Sequence, residues 1–286
     1  MNKKEILKNY ISNLSASSKE RNLYTKYASD FLDHAEELDR SAVLAHMERL
    51  KKRGLAPGTV NFIFRIIRRV FAVNDVPWPF LKGESPKVSL RQQLRPALGA
   101  DIIGKMIETA SIGKLNPDEK AFLALSTIYG LRREEMCNIR HEDLDFKKGT
   151  IYIRTIKKGR ERYHLIPSEI KAVLQEHDFA RCYSIFQLSR MFWSIVNKSG
   201  MSRLQSQELG WHTIRRGLKT LLDRSGLDPF TIHQFMRWQG GERGFAMDAR
   251  YHATHFVTLD GEESISDEAE ADKEVFKKHP FIKLWR

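Results

Sequence analysis

The stretch Tyr129–Pro167, YGLRREEMCNIRHEDLDFKKGTIYIRTIKKGRERYHLIP, is where the hydrophobic period of the chain changes. Arg133–Ile139 reads as a short helix, and the acids after His141 (HEDLD) read as a turn. From Thr150 the residues become β-branched and aromatic, so Thr150–Ile156 is expected to be extended. Lys157–Glu161 is polar around Gly159, and Arg162–Ile166 is extended again. This pattern predicts a β-hairpin with a charged tip. On either side the spacing is helical. Ile102–Ala110 and Asp118–Tyr129 precede it; Ser168–Glu176, Gln187–Ser199, His212–Ser225 and Asp228–Phe235 follow. The part of the chain beginning near Gly99 is therefore mainly α, with a small antiparallel sheet.

Further upstream the sequence is helical throughout. Lys3–Leu14 is a short amphipathic start. Ser17 and Glu20 form a capping box, and Leu23, Tyr24, Tyr27, Phe31 and Leu32 recur behind it at helical spacing. Asp39 or Ser41 caps the next helix, which carries Val43, Leu44, Met47 and Leu50 and stops at Gly54. Pro57-Gly58-Thr59 opens a third strong helix, Val60–Val73. Phe62, Ile63, Ile66, Ile67, Val70 and Phe71 give it an apolar face, with Arg65, Arg68 and Arg69 among them. Pro77, Pro79, Gly83, Pro86 and Pro96 then break the pattern. Lys82, Lys87, Arg91 and Arg95 make this break basic. The predicted organisation is a helical domain over 1–80, a basic linker over 81–98, and a larger domain over 99–286 with a C-terminal tail from 252. Phe276, Phe281, Ile282, Leu284 and Trp285 are apolar for an exposed tail, so they are expected to pack either on a neighbouring subunit or on their own domain.

Composition narrows the function. The chain of 286 residues is 41% hydrophobic and 29% charged, as a globular protein is. No apolar run approaches the roughly 18–20 residues of a membrane span. The opening MNKKEILKNY has no apolar stretch of a secretory signal. Two cysteines, Cys137 and Cys182, exclude a disulfide framework and a cysteine zinc site, and point to a reducing, cytoplasmic setting. The formal charge of +12 favours a polyanionic partner. The stretch Asp260–Glu274 holds eight acids against one lysine, so the remainder is more basic still. Gly99–Lys105 matches GxxxxGK, but Met106 stands where Mg²⁺ would need a hydroxyl and no strand leads in. His252 and His255 lack the further ligands of a metal site. No cofactor, metal or small-molecule substrate is expected.

Four segments remain: Tyr129–Met136; the hairpin tip Lys157–Arg162; WHTIRR, Trp211–Arg216; and Arg237-Trp238 followed by Ala249–His255 (ARYHATH). Together they hold the parts of a phosphoryl transfer without a metal. Planar guanidiniums match the charge that builds on phosphate oxygens. His212 and Arg215, three apart, fall on one side of a helix. Arg132 sits at a turn-to-helix junction, where backbone amides add positive field. A lysine on the hairpin tip can protonate a leaving oxygen. Tyr251, the only tyrosine after Tyr183, is available as a covalent nucleophile.

In order and combination these segments resemble the tyrosine recombinases (phage-type integrases), whose pattern is Arg…Lys…His-x-x-Arg…His/Trp…Tyr. YGLRREEMCNIRHEDLDF is similar to the family's first-arginine box, with Arg132 and the accompanying Glu135. TIKKGRERYHLIP is similar to its lysine hairpin, with Lys157 as the lysine and Lys158 as the alternative. HTIRRGL gives His212 and Arg215, Trp238 takes the His/Trp position, and RYHATHF gives Tyr251. The first 75 residues are similar to the family's helical, SAM-like core-binding domain. Three departures stand out. Arg237 replaces a usual glycine, the Trp238–Tyr251 interval is a few residues longer than usual, and the common proline before His212 is missing.

The resemblance implies a site-specific recombinase or integrase, encoded by a prokaryote, virus or mobile element and working at the nucleoid. Tyr251 would attack a DNA phosphate to form a 3′-phosphotyrosyl bond. Arg132 and Arg215 would stabilise the transition state, Lys157 would protonate the leaving 5′-oxygen, and His212 would assist. Trp238 would pack on the phosphate site. Double-stranded DNA carrying a core site is the implied partner, contacted by Arg65, Arg68, Arg69, Arg91, Arg95 and Arg160, with a homotetramer assembled on it and no membrane involved. The alternatives are a type IB topoisomerase, which nicks and religates one strand, and a catalytically silent DNA-binding protein on the same fold.

Overall fold

A computed structural model of the chain describes residues 2–86, 96–155, 160–206, 208–238 and 267–286. It divides into two compact units, Met1–Arg95 and Pro96–Arg286. The described part is mainly helical, with one small sheet. Among the described residues no helix is long and apolar enough to cross a membrane.

The first unit is built from α1 (Lys3–Ser12), α2 (Ser18–His34), α3 (Arg40–Lys52) and α4 (Pro57–Val73). Their start signals work as the sequence implies. The Ser17 hydroxyl accepts from Glu20 N–H while the Glu20 carboxylate accepts from Ser17 N–H. The Asp39 carboxylate caps α3 by accepting from Ala42 N–H at 2.8 Å. Helical spacing along α4 turns Val60, Ile63, Ile67, Val70 and Phe71 into the core with Phe31 and Leu50. Arg65, Arg68 and Arg69 fall on its exposed side. The proline-rich segment begins as part of this unit. Trp78 packs edge-on against Phe64 and Phe71 at 5.1 Å, and Glu84 pairs with Arg40 at 2.8 Å.

The second unit surrounds α6 (Pro117–Tyr129), which is buried from Ala121 to Tyr129 because its sequence is apolar or small on all sides. Around it lie α5 (Ala100–Ser111), α7 (Arg133–Cys137), α8 (Ser168–Glu176), α9 (Ile185–Lys198), α10 (Trp211–Arg224), α11 (Pro229–Phe235) and α12 (Asp267–Lys278). The sheet is antiparallel in the order β1 (Leu144–Asp145), β2 (Thr150–Ile153), β3 (Arg162–Leu165). HEDLD is thus more than a turn: His141–Asp143 is a 3-10 turn, and Leu144-Asp145 pairs with Thr150-Ile151. Two residues are too few to show an alternation, so β1 left no periodic signal. The hairpin strands are shorter than Thr150–Ile156 and Arg162–Ile166. The register sets Ile151 opposite His164 and Ile153 opposite Arg162. The buried face of β3 therefore carries two polar side chains, Arg162 and His164.

Of the two arrangements the sequence leaves open for the C-terminal segment, the single chain shows packing on its own unit. Val275 on α12 and Phe281, Ile282 and Trp285 beyond it belong to this unit's own core. Trp285 Nε1 donates to Thr127 Oγ1 at 3.2 Å, and His279 Nε2 donates to the Ile128 carbonyl at 3.0 Å. Both partners lie on α6, so residues 267–286 complete the fold of the unit that contains them. Among the five apolar residues singled out, Leu284 alone is exposed, at 45%.

Candidate active site

Arg132 is the N-cap residue of α7, and its position rests on one carboxylate. Its backbone N–H donates to Glu135 Oε2 at 2.8 Å, and its Nη1 donates to Glu135 Oε1. The Glu135 side chain is wholly buried while Arg132 keeps partial access to solvent. Burial pushes the Glu135 carboxyl up, but Arg237, the Arg132 N–H, Arg132 and Arg215 overcome it, and the net direction is below the ordinary value. Glu135 is therefore an anion held among cations.

Arg215 on α10 lies close enough to Arg132 and Glu135 to feel both charges. Its Nη1 donates to the Gly130 carbonyl, and its Nη2 to the Met236 carbonyl at 2.8 Å. Burial, then Arg237 and Arg132, drive its pKa well below the ordinary value against the attraction of Glu135. Gly130 is in the left-handed region at φ +57°, and a Cβ there would meet Leu218 and Met236 at 3.2 Å. Only glycine lets α6 end where Arg215 can reach it. Gly217 has a similar role on the other face of α10, where a Cβ would lie 2.3 Å from the Leu98 carbonyl. The start of α10 is fixed by Trp211 Nε1, which donates to the Leu188 carbonyl at 2.7 Å.

His212 is exposed in the first turn of α10. Its pKa lies below the ordinary value through partial burial of the ring and the cations Arg133, Arg216 and Arg215, with Glu134 opposing. Trp238 follows α11 and faces Arg215, whose Cζ lies 5.6 Å from its ring centroid. Lys219 lies 5.9 Å from the same ring, and His233 packs against it edge-on at 4.8 Å. These contacts bring Arg132, Glu135, Arg215 and Trp238 into one connected cluster, with His212 within electrostatic reach. Three guanidiniums around one carboxylate leave excess positive charge, which suits a phosphate group.

Arg160 is exposed in the connection between β2 and β3, and its N–H donates to the Arg237 carbonyl at 3.3 Å. Lys157, Lys158 and Tyr251 lie outside the described residues, as do Arg91 and Arg95. Arg65, Arg68 and Arg69 belong to the first unit, where Arg69 Nη2 donates to the Asn13 carbonyl at 2.8 Å. His252 and His255 also lie outside; among the described residues no cluster of metal-ligating side chains occurs.

The sequence reading missed a second layer. Asp272 on α12 is fully buried, and its Oδ1 accepts from Arg162 Nη2 at 2.9 Å and from His164 Nδ1 at 3.0 Å. Its Oδ2 accepts from Leu165 N–H at 2.7 Å. Arg237, fully buried, joins this group to Glu135. Arg237 had a signal, since it stands where glycine is usual. Asp272 had none, being one of eight acids in an acidic stretch.

The described architecture is that of tyrosine recombinases of known structure. The chain aligns with a Tn1549 transposon integrase in complex with transposon right-end DNA at a TM-score of 0.62 and 18% identity, over 97% of this chain and 99% of that one. It aligns with a lambda integrase dimer bound to a COC′ core site at a TM-score of 0.60 and 17% identity, over 85% and 96%. Residues 97–243, half of the chain, match the Phage integrase family, and the chain belongs to that family, the tyrosine recombinases. Among its relatives is Tyrosine recombinase XerA of Pyrococcus furiosus, 23% identical over 248 residues, 81% of this chain and 85% of the relative. Type 1 fimbriae regulatory protein FimB of Escherichia coli K12 is 27% identical over 148 residues, 47% of this chain and 74% of the relative.

Proposed function

We propose that this recombinase cuts and rejoins duplex DNA at a specific site through a 3′-phosphotyrosyl intermediate on Tyr251. The observation that carries the reading is the shared anchoring of Arg132 and Arg215. One is held by Glu135 and the other by the Gly130 and Met236 carbonyls, so both charges are fixed before any phosphate arrives. Fixed donors are the effective kind, because they need no reorganisation as charge develops on the oxygens. Tyr251 attacks phosphorus in line, the phosphorus–oxygen bond to the 5′-oxygen breaks, and that oxygen takes a proton from Lys157, or from Lys158. His212 assists by taking the proton that the Tyr251 hydroxyl releases, its lowered pKa favouring the neutral, accepting ring at neutral pH. Trp238 packs beside Arg215 and shields it from water. The ester to tyrosine conserves the bond energy, so religation needs neither ATP nor a metal.

The first unit, with Arg65, Arg68 and Arg69 exposed on α4, binds the duplex backbone. Arg91, Arg95 and Arg160 add phosphate contacts. The DNA in the Tn1549 and lambda integrase structures supports this partner. Exchange of two strands from each of two duplexes calls for four active subunits, hence a homotetramer on DNA.

The test is covalent capture from a pool of random-sequence nicked duplexes, washed under denaturing conditions. Wild-type protein should retain a defined sequence, in chelator as well as without it. Arg132→Ala and Arg215→Ala should each lower capture on that duplex about 10²–10³-fold, the usual loss for a removed transition-state donor. Capture that needs a divalent metal, or that survives both substitutions, would overturn the reading.

A further inference from the structure

We infer that Arg237 is a positioning residue of this site: its side chain and its left-handed backbone together hold Arg132, Arg215 and the hairpin in one register. The inference rests on the recombinase reading above, and it concerns a residue that departs from the family's usual glycine.

The backbone comes first. Arg237 has φ +58°, a conformation that costs a residue with a Cβ and that glycine adopts freely. The turn aims two successive carbonyls at the site. That of Met236 receives Arg215 Nη2 at 2.8 Å, and that of Arg237 receives the Arg160 N–H at 3.3 Å. Trp238, the next residue, is thereby set beside Arg215. A glycine could supply this turn, so the strain of an arginine here needs a reason in its side chain.

The side chain provides one. It is fully buried, and its guanidinium works in several directions at once. Nη2 donates to Glu135 Oε2 at 3.3 Å. Both terminal nitrogens reach the Tyr129 carbonyl at 3.3 Å, and Nη1 also reaches the Phe235 carbonyl. Nη1 lies 3.2 Å from His164 Nε2. The direction of that last bond follows from its neighbours. The Asp272 carboxylate facing His164 Nδ1 can only accept, so Nδ1 carries the ring proton and Nε2 offers its lone pair to Arg237. A continuous path then runs from Asp272 on α12, through His164 on β3, to Arg237, Glu135 and Arg132 on α7. Arg237 takes one oxygen of Glu135 and Arg132 Nη1 takes the other. Without Arg237, Glu135 is free to turn toward Arg132, and the guanidinium that should face phosphate shifts with it.

The experiment uses the full chain and the nicked duplex that the wild-type protein captures. It measures duplex affinity, unfolding temperature and the single-turnover cleavage rate of fully bound complex. Arg237→Gly keeps the turn and removes the buried side chain, stem and guanidinium together. Arg237→Lys keeps the charge, but a single ammonium lacks the planar fork. Both should bind duplex within about threefold of wild type and cleave at least about tenfold slower, as misplaced catalytic groups do. Glu135→Gln should show a similar loss, and combining it with Arg237→Lys should add little, because both act through one link. A purely structural role would lower the unfolding temperature and leave the rate of bound complex unchanged. Wild-type cleavage by Arg237→Gly, or losses that multiply in the double variant, would overturn the inference; should Arg237→Gly not fold, the lysine variant and its coupling to Glu135 decide alone. Failure of the wild-type protein to form any covalent species would instead overturn the recombinase reading, and the positioning role with it, before any variant is made.

Discussion

Arg132 and Asp272 show what one residue reveals of itself in sequence and what it conceals. Arg132 was legible because its neighbours are informative: Gly130 before it and Glu135 after it mark a turn into a helix. Asp272 was not, because burial is a property of the fold and not of the residue. It is nonetheless the acceptor for Arg162, His164 and the Leu165 N–H, all inside the second unit. Breaking a buried ion pair on one side leaves a charge without compensation, at a cost of about 3–5 kcal/mol. Asp272→Asn should therefore lower the stability of the second unit by about that amount in denaturant unfolding. A change under about 1 kcal/mol, the range of exposed pairs, would mean that Asp272 is solvated.

The helices were legible where period and caps agree. The Ser17 and Asp39 caps and the apolar face of α4 stand where the pattern places them. β1 was invisible because two residues carry no period, and the fate of α12 was hidden by its acidic surface. Packing distances are a further thing that pattern cannot give. HTIRRGL places Gly217 on α10, and the structure adds that the Leu98 carbonyl crosses its face too closely for a Cβ. The Leu98 N–H also donates to the Thr213 carbonyl at 3.0 Å, so this segment has little freedom to retreat. Gly217→Ala should destabilise the second unit by about 1–3 kcal/mol, the cost of overpacking, despite the better helix propensity of alanine. A stabilised Gly217→Ala protein in thermal unfolding would show that α10 and Leu98 are not in contact.

In the molecule as a whole, buried histidines set the response to acid. His164 and His279 are pulled down to about 4, in both cases chiefly by burial, from an ordinary value of 6.5. His279 has no room for a second proton, since its Nε2 donates to Ile128 and its Nδ1 accepts the Phe281 N–H. His46, in the first unit, is also lowered to about 4, by burial and then by Arg49. The unfolded chain binds protons at these sites near pH 6.5 while the folded chain does not, so stability is full above that pH and falls toward pH 4. Carboxylates such as Glu135, held below their ordinary 4.5, add their loss only at lower pH. Unfolding free energy should thus decline between pH 6.5 and 4.5, and His279→Gln should flatten the decline; a level profile over that window would contradict the assignment. The proposed strand cleavage depends on the chemistry of Tyr251. The direct measurement is the covalent protein–DNA species formed on the captured nicked duplex by wild-type protein and by Tyr251→Phe, which lacks only the nucleophilic oxygen. Wild type should accumulate an adduct at the 3′ end, with Tyr251 as the modified residue in peptide mapping, and Tyr251→Phe should bind the duplex normally and form none. An adduct formed by Tyr251→Phe would place the nucleophile elsewhere and contradict the account.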